Sequence, residues 1–170
     1  FGDWSSDGAL PISGLSSHIL FKGGTSLSKV FCLIERFSED IDLVLDWRLL
    51  TREKPEAPRS RTQQERFNQD ILSRAGDYIR GDLLPEVRGA IGAICEARAD
   101  AKDGAIIHIR YPGVFEDQYL RPEICLEIGP LAGWIPHAEY SIVPYAAEVF
   151  PELFLSKDCK VKAIKAERTF

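Results

Sequence analysis

Two aspartates separated by one residue are the side chains in this sequence best suited to chemistry. Asp40 and Asp42 alternate with Ile41 and Leu43, a period-two pattern that predicts a β-strand with both carboxylates on one face. Alternate Cα atoms of a strand lie roughly 6.5 Å apart, so both side chains can converge on a hard cation. Mg²⁺ suits this arrangement, because it binds one or two carboxylates together with water and substrate phosphate oxygens.

A glycine turn and a helix precede this strand. The apolar run 19–21 leads into Gly23 and Gly24, which permit backbone angles and close ligand approach that side chains would prevent. Apolar residues at helical spacing then predict a helix from Ser26 to Arg36, packed under the sheet by Leu27, Val30, Phe31 and Ile34. The first amides of such a helix can hold an anion such as phosphate.

This turn predicts a phosphate-binding site. The glycine amides and the hydroxyls of the first helical turn would contact the phosphates, with one of two lysines adding positive charge. The residues expected in this role are Lys22, Gly23, Gly24, Thr25, Ser26 and Lys29. Replacing Gly24 by Val is expected to close the site, whereas Arg36 and Glu39 are expected to brace the turn before the strand.

A second strand also carries acids. In the segment 121–129, Glu123, Cys125 and Glu127 point to one face, and Ile124, Leu126 and Ile128 point to the other. An acid inside so apolar a strand is costly unless it is paired or binds a metal. A structural salt bridge is the alternative for either glutamate.

The combination resembles a known enzyme superfamily. Gly-Gly-Thr-Ser, a short helix and Asp-x-Asp are similar to the signature of the DNA polymerase beta-like nucleotidyltransferases. The strings 22–27 and 36–42 resemble the AbiEii branch, the toxins of type IV toxin–antitoxin and phage-abortive systems. The ending Arg168-Thr169-Phe170 resembles the Arg-Thr-Phe element of that branch.

The resemblance implies a fold. It is the α/β (α+β) nucleotidyltransferase fold, a mixed, mostly antiparallel sheet of about five strands with helices on one side. The two acid-bearing strands should be adjacent at its centre. Residues 1–170 would form a single catalytic domain, since a chain of this length with 45% hydrophobic residues builds one sizeable core. The branch's C-terminal helical region does not follow in this sequence.

The resemblance also implies a reaction. Asp40, Asp42 and a third carboxylate would hold two Mg²⁺ ions roughly 3.5–4 Å apart, and an acceptor hydroxyl would attack the α-phosphate of an NTP. Glu127 matches the third position, and Glu123 is the competitor. Acceptors include the 3′ end of tRNA, a protein acceptor is also possible, and the partner would be a cognate antitoxin.

Other readings of these residues are weaker. The spacing of a P-loop is absent, and sugar-nucleotide glycosyltransferases share Asp-x-Asp without requiring the upstream Gly-Gly-Thr-Ser. The main alternative is a non-catalytic nucleotide-binding or interaction module on the same fold. Three clustered carboxylates argue against it, because like charges brought together are costly without a function.

Composition limits partners and compartment. The net charge of -5 excludes a uniformly basic surface for nucleic acid, so RNA would have to bind at a local basic patch. One base near the C-terminus could reach the triphosphate. An equally favoured interpretation is that these bases lie on a solvent-exposed edge strand. The bases concerned are Lys157, Lys160, Lys162, Lys165 and Arg168. Four dispersed cysteines predict free thiols, and no apolar run approaches the ~20 residues of a membrane span, so we expect a cytoplasmic protein.

Overall fold

The acid-bearing strands are neighbours at the centre of a seven-stranded sheet. The computed structural model describes residues 17–35, 40–113, 122–154 and 158–168. Its strands are β1 (Ile19–Phe21), β2 (Asp40–Leu45), β3 (Glu96–Ala99), β4 (Ile106–Arg110), β5 (Glu123–Gly129), β6 (His137–Ile142) and β7 (Cys159–Ile164). They are ordered β3-β4-β5-β2-β1-β7-β6.

The pairing pattern confirms the predicted fold class. Strand β2 runs parallel to β5, β1 runs parallel to β7, and the other four strand pairs are antiparallel. The sheet has seven strands instead of about five. Strand β3 is not predicted by apolar alternation, because Ala97 is its one buried residue. Strand β6 is not predicted either, because it lies between Pro136 and Pro144 without clean apolar alternation.

Most helical residues follow β2 in the chain. The helical elements are α1 (Gly23–Thr25) with a π-helical turn (Ser26–Val30), α2 (Arg61–Tyr78), a second π-helical turn (Ile79–Leu83), α3 (Leu84–Ile91) and α4 (Tyr145–Val149). Three short 3₁₀ turns cover Trp47–Leu49, Pro151–Leu153 and Ala166–Arg168. None of these described helices is long and apolar enough to cross a membrane.

The first helical segment is shorter than predicted and begins earlier. It starts at Gly23 and ends at Val30, and the chain then leaves the helix through Cys32, whose φ is 51°. Phe31 keeps its apolar contact without being helical, since its ring packs edge-on against Tyr140 of β6 with ring centroids 5.1 Å apart. The predicted end at Arg36 lies outside the described residues, as do Glu39, Lys157, Thr169 and Phe170.

Helix α2 begins at Arg61, directly after its N-cap residue Ser60. Ser60 and Gln63 form a capping box, in which the Gln63 amide donates to Ser60 Oγ and the Ser60 amide donates to Gln63 Oε1. Pro85 lies in the first turn of α3, where its missing amide hydrogen costs no helical hydrogen bond.

Helices α2 and α3 cover one face of the sheet. The core beneath them contains Leu43 and Leu45 of β2, together with Ile107, Ile128 and the apolar side of α2 and α3. On the opposite face, a smaller cluster forms around the β1, β2 and β7 positions Leu20, Val44 and Ile164, together with Trp134. The strand positions that alternate with the helix-facing leucines are therefore free of the helical layer, and these include both predicted catalytic aspartates.

Candidate active site

The parallel pairing of β2 with β5 brings the predicted acids Asp40, Asp42 and Glu127 into one carboxylate row. Asp40 is opposite Cys125, and Asp42 is opposite Glu127, in the register of the two strands. Residues in register project to the same face of a sheet, and Ile41 between the aspartates packs against the core under the helices. The carboxylates therefore lie on the face opposite the helical layer, at the centre of the sheet.

Three side chains in this row can reach one cation. Asp40, Cys125 and Glu127 each offer one ligand atom, and the three atoms lie within 4.8 Å of one another. Both carboxylates are exposed, whereas the thiol is half-buried. Two exposed carboxylates with room for water and phosphate oxygens are a donor set that fits Mg²⁺.

Asp42 faces the glycine turn. Lys22 Nζ lies 3.9 Å from its Oδ1, and the Lys22 amide donates to its carbonyl over 3.0 Å. Gly23 has a φ of 66°, and a Cβ at that position would overlap the Asp42 carboxylate. The turn can approach β2 this closely only because Gly23 has no side chain.

The hydroxyls of the turn hold it in place. Thr25 Oγ1 donates to the carbonyl of Asp40 over 2.8 Å, and this bond ties the turn to the start of β2. Ser26 is fully buried and donates to the Gly23 carbonyl over 2.8 Å. The Ser26 side chain therefore braces the turn from inside, whereas Gly23, Gly24 and Thr25 are half-buried and line its outer side.

The two predicted lysines have different surroundings. Lys22 stands beside the Asp42 carboxylate. Lys29 is held elsewhere: its Nζ donates to the Val143 carbonyl, pairs with Glu148 at 3.7 Å and lies over the Tyr145 ring. Partial burial lowers the pKa of Lys29 below its ordinary value, and the Glu148 carboxylate opposes that shift. Lys22 is the better placed of the two for a ligand bound at the carboxylates.

A cleft opens beside Lys22 and Gly23. Its volume is about 520 Å³, and its far wall is formed by Gly133, Ile164 and Arg168. The Arg168 guanidinium lies against Gly133, where a Cβ would be 2.9 Å from Nη2. Among the C-terminal bases considered for the triphosphate, Arg168 is thus placed across the cleft from the glycine turn.

Glu123, the competing acid, is engaged by other side chains. Its Oε2 accepts a bond of 2.9 Å from Arg98 Nη2, and its Oε1 lies 2.9 Å from His108 Nδ1 without hydrogen-bond alignment. On the other side of the ring, His108 Nε2 lies 3.0 Å from Asp100. Amide hydrogen bonds from the following loop, above all from Asp103, hold the pKa of Asp100 well below its usual range. These contacts give Glu123 a structural partner set, as the salt-bridge alternative predicts.

The sequence model of a known family covers nearly the whole chain. Residues 7–170 match the nucleotidyl transferase AbiEii toxin family of type IV toxin–antitoxin systems. The chain belongs to the AbiEii family. Membership confirms the resemblance and implies a nucleotidyl transferase activity, a nucleotide substrate and a cognate antitoxin. None of the curated proteins and none of the solved structures matches the chain.

The AbiEii sequence pattern gives Cys125 no role. Its half-buried thiol lies between the carboxylates; burial, followed by the charges of Asp40 and Glu127, raises its pKa to about 11. The strand pattern placed Cys125 on the acid face, but only the register with β2 shows that it lies opposite Asp40.

The two glutamates of this AbiEii chain can be separated by substitution. Glu127→Gln is expected to lower transfer by about 10²-fold or more, because it removes the carboxylate that matches the third metal ligand of the resemblance. Glu123→Gln is expected to keep transfer within a few-fold and to lower the free energy of unfolding by about 1 kcal/mol, through its weakened pair with Arg98. Rates of label transfer and urea unfolding measure the two effects. The reverse pattern would identify Glu123 as the third carboxylate.

Proposed function

We propose that this protein is a Mg²⁺-dependent nucleotidyltransferase that moves a nucleoside monophosphate from an NTP to an RNA or protein acceptor. It would act in the cytoplasm as the toxin of its toxin–antitoxin pair. The observation that carries the proposal is the placement of Asp40 and Asp42 on β2 beside Glu127 on β5, with the Gly23 turn against Asp42. A phosphate-binding turn next to a row of carboxylates is what transfer from a nucleoside triphosphate needs.

The carboxylates would hold the metal. Asp40, Asp42 and Glu127 are its proposed ligands, and two ions are expected in the complex with nucleotide. Bound Mg²⁺ would supply charge neutralisation at the triphosphate and would make the acceptor hydroxyl easier to deprotonate. Asp42 lies on the side of the glycine turn, whereas Asp40 and Glu127 are exposed on the outer side.

The glycine turn would bind the phosphates. The first amides of a helical segment have no partner within the helix, so those of Gly23, Gly24 and Thr25 can donate to phosphate oxygens. Lys22 adds positive charge from the β1 side, and Arg168 adds it from across the cleft. Ser26 supports the turn, and Lys29 supports the neighbouring segment through Glu148.

In the proposed reaction, the triphosphate lies on the glycine-turn side of the carboxylate row and the acceptor approaches from the exposed side. The acceptor oxygen forms a bond to the α-phosphorus, and the bond from that phosphorus to the β-phosphate bridging oxygen breaks. The acceptor proton passes to a carboxylate oxygen on the exposed side, at Asp40 or Glu127, and then to solvent. Pyrophosphate would leave along the cleft, where Lys22 and Arg168 would offset part of its negative charge.

The arginine of the cleft gives a test of the phosphate position. Arg168→Ala is expected to raise the KM for NTP by about tenfold, since a charge-assisted contact with phosphate contributes about 1.5–3 kcal/mol. Lys160→Ala is the matched control, because Lys160 is exposed on β7 and pairs with Glu139. An unchanged KM in the Arg168 variant would remove Arg168 from the phosphate site.

The proposal is tested by transfer of label. The intact protein is incubated with each NTP labelled at the α-phosphate, with Mg²⁺ and with total RNA. Label in RNA that disappears after periodate oxidation of the 3′ ends would establish transfer to RNA 3′ termini. Label on protein would instead identify a protein acceptor. Nucleotide binding without any labelled product, even with the cognate antitoxin removed, would favour the non-catalytic module.

A further inference from the structure

A thiol occupies a ligand position within the carboxylate row. Cys125 lies on β5 opposite Asp40, two residues before Glu127 on the same face of the strand. Its Sγ and one oxygen of each carboxylate lie within 4.8 Å of one another. The chemistry of this donor set differs from that of Asp40, Asp42 and Glu127, because one of its three ligands is sulfur.

Sulfur changes which cations the row can bind. Mg²⁺ is a hard ion that takes oxygen ligands, whereas Zn²⁺, Co²⁺ and Cd²⁺ accept thiolate together with carboxylate. Zn–S and Zn–O bonds of about 2.3 and 2.0–2.2 Å place the ligands of one ion about 3.5 Å apart. The ligand atoms lie within 4.8 Å of one another, so they exceed that spacing by little more than about 1 Å at most.

The imidazole on the next strand does not join this set. His108 is opposite Cys125 in the β4–β5 register, but its two ring nitrogens face Asp100 and Glu123 at 3.0 and 2.9 Å. Among the residues that the structure describes, this cluster therefore offers three ligands, and a fourth position would be taken by water or a phosphate oxygen. Three protein ligands with one open position are a common arrangement for Zn²⁺.

We propose that Asp40, Cys125 and Glu127 form a binding site for a single thiophilic divalent cation of the Zn²⁺ class. The inference rests on the proposed function only in that the two carboxylates are shared with the proposed Mg²⁺ ligands. The Cys125 thiol gives its proton to solvent when the cation binds. A cation held in this way occupies Asp40 and Glu127, so it competes with Mg²⁺ for the row.

Cobalt reports a sulfur ligand directly. Titration of the intact protein with Co²⁺ alone is expected to produce a near-ultraviolet sulfur-to-cobalt charge-transfer band that saturates at one ion per chain. Cys125→Ser is expected to remove this band and to weaken Zn²⁺ binding in a competition titration by about tenfold or more. Asp40→Asn and Glu127→Gln are expected to keep a weaker band at higher Co²⁺ concentration.

The chain offers a matched control. Cys95 is a free, half-buried cysteine, so Cys95→Ser removes a comparable thiol from another position and should leave the band unchanged. A band that persists in Cys125→Ser, or one that is lost in Cys95→Ser, would overturn the proposal. So would saturating Co²⁺ binding to the wild-type protein without a charge-transfer band.

The two proposals can fail separately. Cobalt binding is read by absorbance without nucleotide or acceptor, so it does not depend on transfer. A Cys125-dependent band in a protein that transfers no label would retain the site and reject the proposed function. Label transfer in a protein without the band would retain the function and reject the thiophilic site.

Discussion

Asp42→Asn is expected to lower the rate of nucleotidyl transfer by about 10³-fold. The Asp42 carboxylate is close to both the Lys22 ammonium and the Gly23 turn, where the triphosphate is proposed to bind. Loss of a charged metal ligand removes several kcal/mol of transition-state stabilisation, and each 1.4 kcal/mol is about tenfold in rate. The measurement is kcat/KM for incorporation of α-phosphate label, and Asp40→Asn is expected to give a loss of similar size.

A stability control separates this effect from misfolding. The pair between Asp42 and Lys22 is long and partly exposed, so its loss is expected to change the free energy of unfolding by about 1 kcal/mol or less. Asp70→Asn is the matched variant, because Asp70 is exposed on α2 and pairs with Arg74 one turn later. It should transfer label at the wild-type rate. An Asp42→Asn protein within tenfold of wild type would contradict the role of the row.

Gly23→Ala is expected to weaken NTP binding by about 100-fold. The new Cβ would overlap the Asp42 carboxylate, so either the turn or the aspartate must move away from the phosphate site. The positive φ at Gly23 adds backbone strain of about 1–2 kcal/mol for any residue with a side chain. Calorimetric titration with a non-hydrolysable NTP and a thermal melt measure the two consequences.

Gly92→Ala is the control for that strain. Gly92 ends α3 with a φ of 62°, nearly the same as that of Gly23, but a Cβ there would meet no atom within 4 Å. It should lose similar stability and bind nucleotide normally. Equal binding by both variants would show that the approach of the turn to Asp42 is not needed for nucleotide. The structure thus identifies Gly23, beside the Gly24 position predicted from sequence, as a glycine in close contact with the carboxylate row.

The placement of the acids was predictable because it depends on residue types in a fixed order. Asp40 and Asp42 alternate with apolar residues, and this alternation determines both the strand and the shared face. The same holds for Glu127 on β5. The resemblance also predicted that the two acid-bearing strands are neighbours at the centre of the sheet, and they are.

Other features depend on contacts that a linear pattern does not contain. Phe31 keeps helical spacing, but it packs against Tyr140 after the helical segment has ended. Strand β3 is formed by pairing with β4, and a bond from Arg88 to the Ala97 carbonyl fixes it against α3. The register that places Cys125 opposite Asp40 is likewise long-range information.

The position of Arg168 at the cleft also depends on contacts between residues that are distant in sequence. Strand β7 pairs in parallel with β1 at Phe21, and the 3₁₀ turn after β7 then carries Arg168 towards Gly133. The sequence identifies five bases as candidates for the triphosphate, and among the four that the structure describes, Arg168 lines the cleft beside the glycine turn.

The most direct test of the central claim is the stoichiometry of pyrophosphate release. The intact protein is mixed with α-labelled NTP and total RNA over a Mg²⁺ titration, beside an Asp40→Asn, Asp42→Asn double variant. We expect one pyrophosphate for each nucleoside monophosphate transferred, no release without Mg²⁺, and none from the double variant. Pyrophosphate release or label transfer that persists in the double variant would contradict a reaction centred on the carboxylates of β2.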